Sequence, residues 1–173
     1  MGGSGVFDLV AVYRALDEAR GAKGLSWQAL TQRINAQFSG VGVAHPISAS
    51  TVRGLRTRTV VEGDGVLQLL VWLGRSPESF VPDHPLAGAP EAMLPVVGPD
   101  RILRWDPPAL HRAVDGRRDE RRMTWAQVAG EVGCGVATLT GLARSQRVTL
   151  PGAMAVVGWV GRPAAHFTRA STW

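Results

Sequence analysis

The residues here best equipped for chemistry are arginines. Of the 19 basic residues in this 173-residue chain, 18 are Arg and one is Lys23, and 14 acidic residues leave a net charge of +5. A guanidinium presents a rigid fork of N–H donors that matches phosphate, carboxylate and the guanine edge. The excess of positive charge therefore points toward polyanionic partners. A GC-rich genome would produce the same preference for Arg over Lys, and both readings stay open. The charge is uneven along the chain: +2 over residues 1–81, −1 over 82–104 and +4 over 105–173.

Other reactive side chains form no constellation. His45, His84, His111 and His166 are scattered without metal-ligand spacing. The single cysteine, Cys134, can form no internal disulfide or Cys₂His₂ zinc site, and no base stands beside it. The carboxylate pairs Asp17-Glu18 and Asp119-Glu120 fall on helix surface or loop. No glycine-rich phosphate loop follows a strand pattern. The sequence therefore predicts binding rather than catalysis, with no metal and no cofactor. The N-terminus lacks a basic stretch followed by an apolar core, so no signal peptide is expected. The longest apolar run, Val66 to Leu73, is too short to span a bilayer. A reducing, cytoplasmic setting is the expectation.

The elements that must position the arginines are set by an internal repeat. Shifted by 98 positions, residues 7–34 lie on 105–132: Phe7-Asp8 meets Trp105-Asp106, Arg14-Ala15-Leu16-Asp17 meets Arg112-Ala113-Val114-Asp115, and Leu25-Ser26-Trp27 meets Met123-Thr124-Trp125. The first copy then carries an insertion at 35–47, after which the shift is 87. Thr51-Val52-Arg53-Gly54-Leu55 meets Thr138-Leu139-Thr140-Gly141-Leu142, Trp72-Leu73-Gly74-Arg75 meets Trp159-Val160-Gly161-Arg162, and Phe80 meets Phe167. Two units follow, 1–81 and 105–173, joined by a Pro-rich linker at 82–104. The linker's Leu86, Met93, Leu94, Val96 and Val97 make it too apolar for a free tether.

Each unit reads as five short helices. Asp8 and Asp106 are N-caps for the first, satisfying free N–H groups at the positive end of the helix dipole, and Pro107 suits the first helical position. Ser26 and Thr124 cap the second helix, whose Leu30, Ile34, Val128 and Val132 face inward. Gly133-Cys134-Gly135 makes a tight turn in the second unit. A third helix follows, Ala49 to Arg56 after the Ser48 cap, or Val136 to Ala143. A fourth covers about Gly65–Leu73 and Gly152–Val160, with Trp72 and Trp159 inward and a terminal Gly-Arg. No strand pair is evident; the insertion, with Phe38, Val41, Val43 and Pro46, is a candidate small hairpin. Gly54 and Gly141 inside the third helices suit either close approach to a nucleic-acid backbone or tight helix packing. The expected fold is all-α.

The tract Met123-Thr124-Trp125-Ala126-Gln127-Val128-Ala129-Gly130-Glu131-Val132-Gly133-Cys134-Gly135-Val136-Ala137-Thr138-Leu139-Thr140-Gly141-Leu142 resembles the Cro/phage-repressor (XRE-type) helix-turn-helix family. It carries an apolar residue before a Ser/Thr cap, a second helix with Ala, a Gly turn, and a Thr-Leu-x-x-Leu recognition helix. The tract Trp159 to Phe167 resembles that family's fourth helix and closing turn. The likeness covers most of both units, although the insertion removes the tight turn from the first.

The resemblance implies that the third helix enters the major groove while the second lies across the backbone. Base-reading positions would be Ala49, Ser50 and Arg53 in the first unit and Val136, Ala137 and Thr140 in the second. Only Arg53 can make a bidentate contact to guanine. Phosphates would be held by Arg56, Arg58, Arg144, Arg147 and the Thr51 and Thr138 hydroxyls; packing inside the helix is the other role open to the two threonines. Trp27, Gln28 and Trp125 stand at the start of the second helices, where an indole N–H could reach phosphate or the ring could pack on the third helix or a neighbouring loop. The run Arg117 to Arg122 is either a phosphate contact or a solvated loop. The function implied is sequence-specific binding of double-stranded DNA, as a transcription regulator in which two units form a pseudo-dimer. The rival is a protein-interaction module that kept the fold and lost DNA reading, with a homodimer or another protein as partner.

Overall fold

The computed structural model describes residues 5–41, 47–58 and 61–172. Among these, eight α-helices carry the fold. Helix α1 (Leu9–Ala22) and α5 (Pro107–Glu120) each begin at an Asp whose carboxylate accepts a backbone N–H three residues on: Asp8 from Ala11 at 2.9 Å and Asp106 from Ala109 at 3.0 Å. Helix α2 (Trp27–Asn35) is capped by Ser26 and α6 (Trp125–Val132) by Thr124, the latter as a reciprocal capping box with Gln127. The short α3 (Ala49–Gly54) and α7 (Val136–Gly141) follow. Helices α4 (Gly63–Leu73) and α8 (Leu150–Val160) end at Gly74 and Gly161, both left-handed, the geometry for which glycine is suited. One 3₁₀ turn follows each, Pro77–Phe80 and Ala164–Phe167.

The two halves repeat individual contacts as well as elements. Asp8 N donates to the Phe80 carbonyl and Asp106 N to that of Phe167. Arg20 binds Asp17 and the Leu25 carbonyl; Arg118 binds Asp115 and the Met123 carbonyl. Each of these contacts maps onto its counterpart under the sequence shift.

The fold is mostly helical but not purely so. Strand β1 (Ile102–Trp105) pairs antiparallel with β2 (Thr168–Ser171), placing Trp105 opposite Thr168. The expectation of no strand pair fails because both segments are short and lack period-two alternation. Three of the four β1 residues are buried, since the strand lies on α4 as well as beside β2. Gln68 donates to the Leu103 carbonyl, and Asp64 accepts the Trp105 N–H at 2.9 Å and pairs with Arg104 at 3.1 Å. The segment expected as a linker thus ends in a strand docked on the first half. Ala92 and Leu94 are buried and Leu86 and Val97 half-buried, in keeping with a segment too apolar for a free tether, while Met93 and Val96 are exposed.

One hydrophobic cluster runs through both halves, from Leu16, Leu30 and Leu67 to Leu110, Val128 and Leu150. Its seam is two-fold in character. The Val61 carbonyl accepts from Leu150 N at 3.1 Å, and Gly63 N donates to the Val148 carbonyl at 2.9 Å, about a bridge between Glu62 and Thr149. Under the 87-residue shift these are equivalent positions, so the same stretch of the two halves pairs with itself reciprocally, as in an isologous interface. Helices α4 and α8, also equivalent, pack together at this seam.

Other expectations shift. Residues Ala36–Val41 of the insertion form a 3₁₀ segment, with Phe38 buried, instead of the start of a hairpin; Val43 and Pro46 lie outside the described residues. Val132, Trp72 and Trp159 are half-buried and pack against the edge of the core without being enclosed by it. Trp159 stays at the surface because its indole N–H donates to Glu131 at 2.8 Å and its ring carries Arg117 and Arg121. Gly54 is half-buried and Gly141 exposed. A Cβ at Gly141 would meet open space and one at Gly54 only the Arg58 side chain, so helix packing requires neither glycine.

Candidate nucleic-acid interface

Helix α3 is anchored by its one buried residue, Val52, and started by Ser48, whose Oγ accepts the Thr51 N–H at 3.1 Å. That anchoring leaves Ser50 and Arg53 exposed, with Ala49 and Thr51 half-buried. The Thr51 hydroxyl lies 2.8 Å from Ser48 Oγ, so it serves the cap first. Arg56 and Arg58 are exposed just beyond the helix. The Arg56 guanidinium stands 5.8 Å from the Tyr13 ring, and the Arg58 side chain folds across Gly54. Arg53, Arg56 and Arg58 are thus three exposed cationic side chains on and just beyond α3.

Helix α7 is held by buried Leu139 and exposes Val136, Ala137, Thr138 and Thr140. The Thr140 hydroxyl donates to the Val136 carbonyl at 3.1 Å, inside the helix. Arg144 and Arg147 are exposed beyond it. Arg147 pairs with Glu62 at 3.3 Å across the seam, which offsets part of its charge. The second half thus offers methyl and hydroxyl groups where the first offers a guanidinium.

The two tryptophans after the second-helix caps have a different place from either one expected. Trp27 stacks on Tyr13 at 5.1 Å with the Arg20 guanidinium 4.9 Å from its ring. Trp125 stacks on His111 at 5.3 Å with Arg118 at 5.1 Å. Both rings therefore brace the second helix against the first helix of the same half, each half-buried, while Gln28 remains exposed. In the run Arg117 to Arg122, Arg117 donates to the Val160 carbonyl at 2.8 Å, Arg118 binds Asp115, and Arg121 binds Glu131 through two contacts at 2.7 and 3.1 Å. These three are structural fasteners more than a solvated loop. The Arg121 contact holds the Glu131 carboxyl below its ordinary range, with the Trp159 N–H adding to the effect.

Sequence reading missed the pairing of residues 61–63 with 148–150, although the 87-residue shift already marked these stretches as equivalent. Cys134 sits half-buried beyond the α6 terminus, and burial pushes its thiol up. That is the opposite of what an activated nucleophile needs. No group of three or more metal-binding side chains occurs among the described residues, and no described helix is long and apolar enough to cross a membrane. Neither a protein-family model, nor a curated protein, nor a solved structure matches the chain.

Proposed function

We propose that this chain binds double-stranded DNA sequence-specifically as a transcription regulator, through two tandem XRE-type helix-turn-helix units that form a pseudo-dimer. The observation that carries the reading is the two-fold seam. Reciprocal pairing of 61–63 with 148–150 is the kind of contact that two protomers of a dimer make, and it supports a two-fold arrangement of α3 and α7. Both helices keep exposed outer residues, as groove entry requires. Two-fold helix-turn-helix dimers read half-sites about 34 Å apart, one helical turn of DNA. The inequivalence of the outer residues makes the target an imperfect repeat. Arg53 reads guanine in one half-site, and the other is held by methyl contacts and by phosphate contacts from Arg144.

The test is selection from a random duplex pool, repeated with Arg53→Ala. The wild type is expected to enrich a motif, and the variant to lose preference at one base while binding weakens by about 1–3 kcal/mol. No enrichment at low salt would defeat the proposal.

The rival, a protein-interaction module, is favoured by one observation: α7 exposes Val136, Ala137, Thr138 and Thr140, without a charged or long polar side chain. A nearly flat salt response of any duplex binding would favour that reading, because phosphate neutralisation makes affinity fall steeply with salt.

A further inference from the structure

We propose that the second half carries a separate phosphate-binding trough, between α5, α8 and the turn at Ala164–Phe167, and that its ligand is the backbone of a nucleic acid. The trough has a volume of about 670 Å³ and includes no residue of α3 or α7. Arg112, Arg117, Arg121, Arg162 and His166 line it, with Glu120 as the one carboxylate. Glu131, outside the lining, neutralises Arg121. Even so, the guanidinium groups exceed the nearby carboxylates by two. Arg112 and Arg162 are exposed and belong to none of the ion pairs among the described residues. Arg117 is oriented by its bond to the Val160 carbonyl and by the Trp159 ring, which leaves its remaining N–H groups for a ligand.

Two features make this a built trough instead of an accident of an arginine-rich surface. Its floor is small: Ala109, Ala113, Gly116 and Gly161 keep the space open, and a Cβ at Gly116 would meet nothing within 4 Å. Its counterpart in the first half is built differently. The repeat places Glu18 at the position of Gly116 and Ala19 at that of Arg117, so that half sets a carboxylate where the second half leaves room. Arg14, Lys23 and Arg75 stand at the positions of Arg112, Arg121 and Arg162, and Ala22 at that of Glu120, so what sets the second half apart is the Arg117 guanidinium and the open space at Gly116. The shape favours a backbone over a small anion. From Arg112 to Arg121 the cations spread over about 14 Å of helix, the axial rise of roughly four base pairs of duplex.

The test uses the full chain, a labelled duplex of arbitrary sequence, and anisotropy titrations at several salt concentrations. Arg112→Glu/Arg162→Glu is expected to weaken binding roughly tenfold at low salt and to flatten the slope of log affinity against log salt by about one to two, the signature of lost phosphate contacts. Gly116→Glu restores the first half's carboxylate. It is expected to weaken binding several-fold while the melting temperature holds or rises, because Glu is the better helix former. That second variant separates a lost trough from a lost fold. Unchanged affinity and slope in both variants would overturn the proposal. So would a loss of tripolyphosphate binding, by calorimetry, with duplex binding intact, which would mean a small polyphosphate ligand. The duplex carries no selected motif, so failure of the base-reading proposal leaves this test standing.

Discussion

Glu62 and Thr149 face each other in an antiparallel bridge, and they are the same position of the repeated unit. Residues on either side exchange hydrogen bonds reciprocally, so a two-fold axis passes between them. Closing that axis within one chain lets each side differ. Glu62 pairs with Arg147 across it, whereas a true homodimer of the first half would set two Glu62 carboxylates face to face.

The shared cluster predicts one cooperative unfolding transition. Apolar residues from α1, α4, α5 and α8 belong to a single core, so neither half can open without exposing the face of the other. Urea titration followed by far-ultraviolet circular dichroism and by tryptophan fluorescence is expected to give coincident curves. Two separable transitions would show that the seam adds little to stability.

Gly63→Ala is expected to destabilise the chain through overpacking. An added Cβ would stand 2.6 Å from Trp105 Cδ1 and 2.7 Å from the Val148 carbonyl oxygen. Trp105 is fully buried and the carbonyl belongs to the seam, so neither yields easily. The expected loss is about 1–3 kcal/mol by chemical denaturation. Gly65→Ala, with open space around its Cβ, serves as the control and is expected to cost little.

The helices were legible in the sequence because their signals are local. Asp, Ser and Thr caps, Pro107 and the terminal Gly-Arg pairs each fix a boundary within one turn, and the repeat set the order. What the sequence did not disclose depends on contacts between distant residues. Strand β1 has no alternation to announce it, since its burial comes from α4 on one side and β2 on the other. Trp159 reads from the sequence as an inward residue of the fourth helix, yet Glu131, Arg117 and Arg121 supply polar company that holds it at the surface. Arg112 and Arg162 lie 50 positions apart, and no spacing rule links an arginine on one helix to one after another helix.

Stability is expected to carry an Asp64 signature in mildly acidic solution. Desolvation raises its carboxyl above the ordinary value of 3.8, against the lowering effects of the Trp105 N–H and Arg104. An acid whose pKa is higher in the folded state binds protons more tightly there, so its ionisation opposes folding. The contribution of Asp64 therefore declines as pH rises upward from 3.8 through its folded value. Asp64→Asn keeps an acceptor for the Trp105 N–H and removes the titration. Thermal melts across that window are expected to show the wild type losing ground to the variant as pH rises. The opposite trend would mean that the Arg104 pair outweighs desolvation.

Glu78 gives the sharpest test of the asymmetric seam. It is fully buried on the first half, and its Oε1 accepts the Ala164 N–H of the second at 2.6 Å. Its Oε2 has no hydrogen-bond partner among the described residues. Under the repeat, Ala164 corresponds to Pro77 and Glu78 to Ala165. The mirror contact therefore cannot exist, because proline has no N–H and alanine no acceptor side chain. Glu78→Ala strands a buried N–H, at a cost of about 1–3 kcal/mol on top of the cavity it leaves. Glu78→Gln keeps the acceptor at a similar volume and is expected to lose less in urea denaturation. Equal losses in the two variants would show that the carboxylate charge, and neither the filled space nor an acceptor for the Ala164 N–H, is what Glu78 contributes.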